Sequence, residues 1–196
     1  MTPEMRAFEY ALGLFSVLIG LAIADIATSF HRLVRSRQKV SWDPLALLAA
    51  MYALLTAIGM WFDLWGIRNV PGARQFFFYL LMVADLFLVF LIAAGSLPDD
   101  ADGGRDLREF YARNRQYFWT LIALFQLGYL LLGLYFAGGQ LSRAAPYYRL
   151  AFAAQMSVLL LIPVALALLK SRALHYLGLT LLFATQAWHY APYSIN

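Results

Sequence analysis

Four acidic side chains sit inside long apolar stretches of this sequence: Glu9, Asp25, Asp63 and Asp85. On insertion scales a carboxylate at the centre of a membrane helix costs roughly 2.5–3.5 kcal/mol, so each needs a partner or a purpose. Glu9 and Asp63 lie towards the ends of their stretches, where water and headgroups reach, and Trp61 and Trp65 flank Asp63 as interfacial anchors would. Asp85 is different. It occupies the middle of the block 78–95, with apolar residues at every helical offset, so nothing on its own helix can pair with it. Polar residues expected at similar depth are Gln126 and Gln155, with Tyr129 one turn from Gln126. Two roles fit. A protonated Asp85 could hydrogen-bond a glutamine and hold helices together. Alternatively, Asp85, Gln126 and Gln155 form an intramembrane site for a monovalent cation or a proton, which is the reading carried forward.

Asp25 raises a related question nearer a helix end. At 100° per residue, Asp25, Thr28, Ser29 and Arg32 share one face, a polar funnel that would open at the basic end of the first helix. The same residues also fit an ordinary wet helix end, about two turns before the basic run. Another face carries Gly13, Gly20 and Ala24, small residues that let a neighbouring helix approach closely.

The elements that must position these groups are long. The chain has 196 residues, 62% hydrophobic and 13% charged, against roughly 25% charged in soluble domains. The apolar residues come in blocks near the length that crosses a bilayer, roughly 20 residues. The expected architecture is one all-α integral membrane domain over 1–196, with six transmembrane helices near 8–31, 45–67, 75–96, 116–137, 147–169 and 173–191. Barrel strands would alternate polar and apolar residues, and these blocks do not. Ser41 or Asp43 is placed to cap the second helix, and Asp106 with Glu109 to cap a helix that runs into the fourth block. In the segment 106–118, Leu107, Phe110, Tyr111, Asn114, Tyr117 and Phe118 fall on one helical face. Pro163 should disturb the fifth helix and free a carbonyl.

Ten of the fifteen Lys and Arg residues fall in the connections after the first, third and fifth blocks. The positive-inside rule then puts those connections in the cytoplasm and both termini outside, in the plasma membrane of a bacterium. With the basic residues at helix ends, topology accounts for them and a nucleic-acid partner is not expected; membrane lipids are. The absence of cysteine excludes disulfides, iron–sulfur clusters and thiol catalysis. No HExxH, GxSxG or phosphate-cradling glycine loop occurs, so no enzyme activity, cofactor or metal is expected. His31 and His175 could share one level, but neither has the acidic neighbour that usually orients a ligating histidine. The resulting expectation is a small-cation pathway, an ion channel. The alternatives are a proton-coupled secondary transporter and a non-transporting membrane scaffold or sensor.

The first block, residues 6–26, resembles the first helix of the bacterial six-helix relatives of the lysosomal potassium channel. Arg6, Tyr10, Gly13 and Phe15 stand in matching positions, while Ala11 and Leu12 replace that family's Ser-Asp pair. The resemblance implies a homo-oligomeric channel lined by the first helix, with Val17 near a hydrophobic constriction. It also implies cytoplasmic termini, opposite to the charge bias. Labelling decides between the two: a tag at either terminus should react with a membrane-impermeant reagent on intact cells. Labelling only after permeabilisation would reverse the orientation.

Overall fold

A computed structural model describes residues 3–36, 40–67, 76–99, 106–141 and 145–191. The described chain is all-helical: α1 (Pro3–Arg35), α2 (Pro44–Ile67), α3 (Phe76–Ala94), α4 (Leu107–Leu141), α5 (Pro146–Leu168) and α6 (Arg172–Tyr190). Four of the helices contain stretches long and apolar enough to cross a membrane, Leu12–Arg35, Pro44–Leu64, Phe77–Ala94 and Leu107–Leu134, and α5 holds a shorter apolar run, Phe152–Leu168. Two helices outrun the expected spans. α1 continues to Arg35, where Arg32 and Arg35 complement the negative helix end. α4 starts at Leu107 and runs through Gly138 and Gly139 to Leu141, because glycine weakens a helix without stopping it and no proline intervenes before Pro146.

The helix starts follow the sequence signals. The Asp43 carboxylate accepts the Ala46 N–H at 3.3 Å with Pro44 at the first helical position, so Asp43 caps α2. One oxygen of Asp106 accepts the N–H groups of Arg108 and Glu109 at 2.9 and 3.1 Å. The N–H of Leu107 donates to the Ser41 carbonyl at 3.0 Å, which ties the start of α4 to the lead-in of α2.

α2 is the hub of the bundle and touches α1, α3, α4 and α6, while α1 also packs on α3, α4 on α3 and α5, and α5 on α6. Small residues let so many neighbours gather: Ala46, Ala49, Ala50, Ala53 and Ala57 are all buried. Gly59 lies on the other side of α2, the one that carries Tyr52, Thr56 and Asp63, and the Tyr190 ring lies directly on it. The outside is apolar, with Leu14, Leu131, Leu161 and Leu177 each about half exposed. Trp42 at one end and Trp61 and Trp188 at the other are exposed, the arrangement of an aromatic belt.

The half of the bundle at the basic end is filled and cross-bonded. The Trp119 indole N–H donates to the Tyr111 hydroxyl at 2.9 Å, and that hydroxyl lies 2.6 Å from Nδ1 of His175. A phenol has one hydrogen and an indole can only donate, so Tyr111 donates to a bare Nδ1 and Nε2 carries the ring proton. Nε2 then donates to the Leu169 carbonyl at 2.9 Å. Arg115 of α4 donates to the carbonyls of Ala167 (3.3 Å) and Leu169, the open end of α5. Arg172 at the start of α6 pairs with Asp43. Tyr111→Phe would leave two buried groups without their partner, at about 1–3 kcal/mol each. Its thermal midpoint in detergent should fall well below that of the wild type.

Candidate functional site

The other half of the bundle is not filled. Between α2, α4, α5 and α6 lies a cavity of about 540 Å³, reached on its α3 side only by Met82. Its α2 wall runs from Tyr52 through Thr56 and Met60 to Asp63, about 16 Å at the helical rise. The cavity therefore occupies the half of α2 remote from Asp43.

Its polar groups come in cross-helix pairs. Deepest, the Gln126 amide of α4 donates to the Tyr52 hydroxyl at 3.4 Å. One turn outward, Thr56 donates to the Tyr52 carbonyl at 2.9 Å and accepts from the Gln186 amide of α6 at 3.2 Å. With the Thr56 hydrogen committed, Gln186 must present its nitrogen there, and its buried Oε1 has no partner. At the outer end, Tyr190 donates to one oxygen of Asp63 at 2.9 Å, and Nε2 of His189 lies 3.4 Å from the other. When protonated, His189 makes this an ion pair across α2 and α6. Aromatic and methionine side chains supply the rest of the wall, Phe125, Tyr129, Phe152 and Met156 among them.

The residues singled out in the sequence are distributed unevenly around this cavity. Gln126 and Gln155 both line it, but Gln155 is exposed on α5 and Gln126 is bonded to Tyr52. Asp85 is buried at mid-helix on α3, one turn deeper than Met82, and is not part of the cavity wall. It is seated against Gly128: a Cβ added there would fall 1.9 Å from its Oδ1. Oδ2 of Asp85 is buried with no hydrogen-bond partner.

The Asp25 face is divided as well. Ser29 is buried and donates to Asp99, at the end of the α3 connection, at 3.3 Å; Arg32 pairs with the same oxygen at 3.4 Å. Asp25 is half-buried near that pair, and Thr28 is exposed. Gly13, Gly20 and Ala24 point away from the bundle, with open space over both glycines, so among the described residues no other helix packs on the small stripe. Val17 is exposed on the same side. The side chains of Arg6, Glu9, Tyr10 and Trp65 lie outside the described residues. His175 commits both ring nitrogens to Tyr111 and Leu169, and His31 is exposed, so the two do not form a ligand pair. No cluster of metal-ligating side chains occurs among the described residues.

Sequence reasoning placed Asp63 at an interface and did not join it to His189 and Tyr190. The signal was present: α2 and α6 run parallel in an up-and-down bundle, so the C-terminal turns that carry these residues must meet at one end.

Several apolar helices around a cross-bonded core point to a membrane-embedded, all-α protein. Comparison with family models, curated proteins and solved structures finds no match for this chain.

The Asp85–Gly128 contact makes a specific expectation. Gly128→Ala overpacks the α3–α4 seam, at about 1–3 kcal/mol. Asp85→Ala removes the three atoms nearest the new methyl, so the double variant should be more stable than the two losses added together. Additive losses in thermal unfolding would mean that the two residues do not touch.

Proposed function

We propose that this protein is a six-span membrane protein that moves a small cation across the bilayer in exchange for protons, a secondary transporter. The observation that carries this reading is the asymmetry of the bundle. One half holds a cavity with a carboxylate and a histidine at its outer end, and the other half is closed by Trp119, Tyr111, His175 and the Arg172–Asp43 pair. That is the form of a carrier open on one side of the membrane and shut on the other. By the charge bias, the cavity faces outward.

Asp85 fits the same scheme. It lies one helical turn beyond the cavity's α3 wall, with an unsatisfied buried oxygen that can take up or release a proton. An ionisable group at that depth is a functional site by default. His189 and Asp63 would be the outer proton-exchanging pair.

A second reading is a channel assembled from several copies around α1. It is favoured by the open space over Gly13 and Gly20 and by the exposed Val17, which together leave one face of α1 without a neighbour in this chain.

Reconstituted liposomes separate the two. A carrier should give saturable cation uptake driven by a pH gradient, lost in Asp85→Asn and in Asp63→Asn. A channel should give non-saturating flux or current that a bulky residue at Val17 blocks and Asp63→Asn does not. Absence of any flux from folded protein would remove both and leave a scaffold.

A further inference from the structure

The cavity wall specifies its occupant more closely than "cation". We infer that it takes a protonated organic amine, whose ammonium group exchanges with the proton held by His189 beside Asp63. This inference rests on the carrier reading for its transport consequence, and on the cavity alone for binding.

Charge comes first. Among the described lining residues the carboxylate is Asp63 and the basic group is His189; neither lysine nor arginine is present. An anion would have no permanent counter-charge there, while a cation has Asp63. Hydrogen-bond polarity agrees. The Gln186 amide gives its N–H to Thr56 and leaves Oε1 buried and unpartnered in the wall, an acceptor in need of a donor. Gln186 lies three and four residues before His189 and Tyr190, the two residues bonded to Asp63, so these acceptors are neighbours on one helical face. A charged N–H donor can serve both.

The remaining wall argues against a bare alkali ion. Phe125, Tyr129 and Phe152 supply aromatic rings, and Met60, Met82 and Met156 supply deformable apolar surface. A bare ion would want a tight cage of oxygens, whereas about 540 Å³ of mixed aromatic space suits an ammonium carrying a hydrophobic body.

The exchange balances in charge. Protonated His189 neutralises Asp63 in the empty cavity; an entering ammonium takes its place and the imidazole proton leaves to bulk water. The other ionisable groups facing the cavity are the phenols of Tyr52 and Tyr129, from α2 and α4, and of Tyr190 beside His189 on α6. Among the described lining residues, α5 adds no charge.

The test uses the full chain in nanodiscs with 4-phenylbutylammonium as probe and 4-phenylbutanol as its neutral counterpart, empty nanodiscs correcting for lipid partition. Saturable binding of the amine should exceed that of the alcohol at least tenfold, with close to one proton released per amine bound. His189→Gln should bind without releasing the proton. Asp63→Asn should weaken amine binding tenfold or more. Should that variant fail to fold, Gly133→Leu decides: a Cβ at Gly133 meets only Phe152, at 3.9 Å, so the leucine enters the cavity without a backbone clash and should displace the probe. Equal binding of amine and alcohol, or amine binding unchanged in the foldable variants, overturns the inference. Proton-driven uptake of rubidium without amine binding overturns it while leaving the carrier reading intact. Amine binding without proton-driven uptake does the reverse.

Discussion

Polar side chains in a bundle of apolar helices have little water to turn to; a serine or threonine can bond a carbonyl of its own helix, while the longer side chains take partners from other elements. This constraint organises the molecule. The polar contacts that tie the basic half together join different elements: Tyr111 to His175, Arg115 to the end of α5, Arg172 to Asp43. Such bonds can form only if the helices come close, and the alanine face of α2 allows that. The same constraint exposes the two buried oxygens left over, on Asp85 and Gln186. Among the described residues, these are the buried side-chain oxygens without a hydrogen-bond partner.

The division into a bonded half and a hollow half has a simple packing origin. On the basic side α4 presents Tyr111, Phe118, Trp119 and Ile122, large side chains that are all buried. Further along, the wall becomes Gln126, Gly133 and the edge of Tyr129 opposite a α5 that α2 hardly touches. Pro163 sits in α5 between the two halves; it has no N–H to give the Leu159 carbonyl, and Leu159 lines the cavity.

Much of the fold was legible from periodicity and punctuation. The six helices, the Asp43 and Asp106 caps and the shared face that begins at Leu107 follow from local signals that a helix obeys wherever it sits; the burial of Leu107, Phe110, Tyr111 and Phe118 on that face comes from packing, and Tyr117 stays exposed. Depth was legible too, which is why Asp85 stood out. Direction was not. A residue's level along a helix comes from counting, but its partner depends on which helices adjoin and how each is rotated. Gln126 therefore turned to Tyr52 rather than Asp85, and Ser29 to Asp99 rather than Asp25. Asp63 and His189 lie 126 positions apart, and no spacing rule spans that distance.

The Leu169 carbonyl receives hydrogen bonds from both Arg115 and His175. The turn between α5 and α6 is thereby pinned to α4 at a single point, with contacts from two sides. At its far end the same hairpin is fastened to a different helix, through His189 and Tyr190 on Asp63 of α2. If the Asp63 contacts were released, the hairpin would keep its anchor at Leu169, at the opposite end of the bundle.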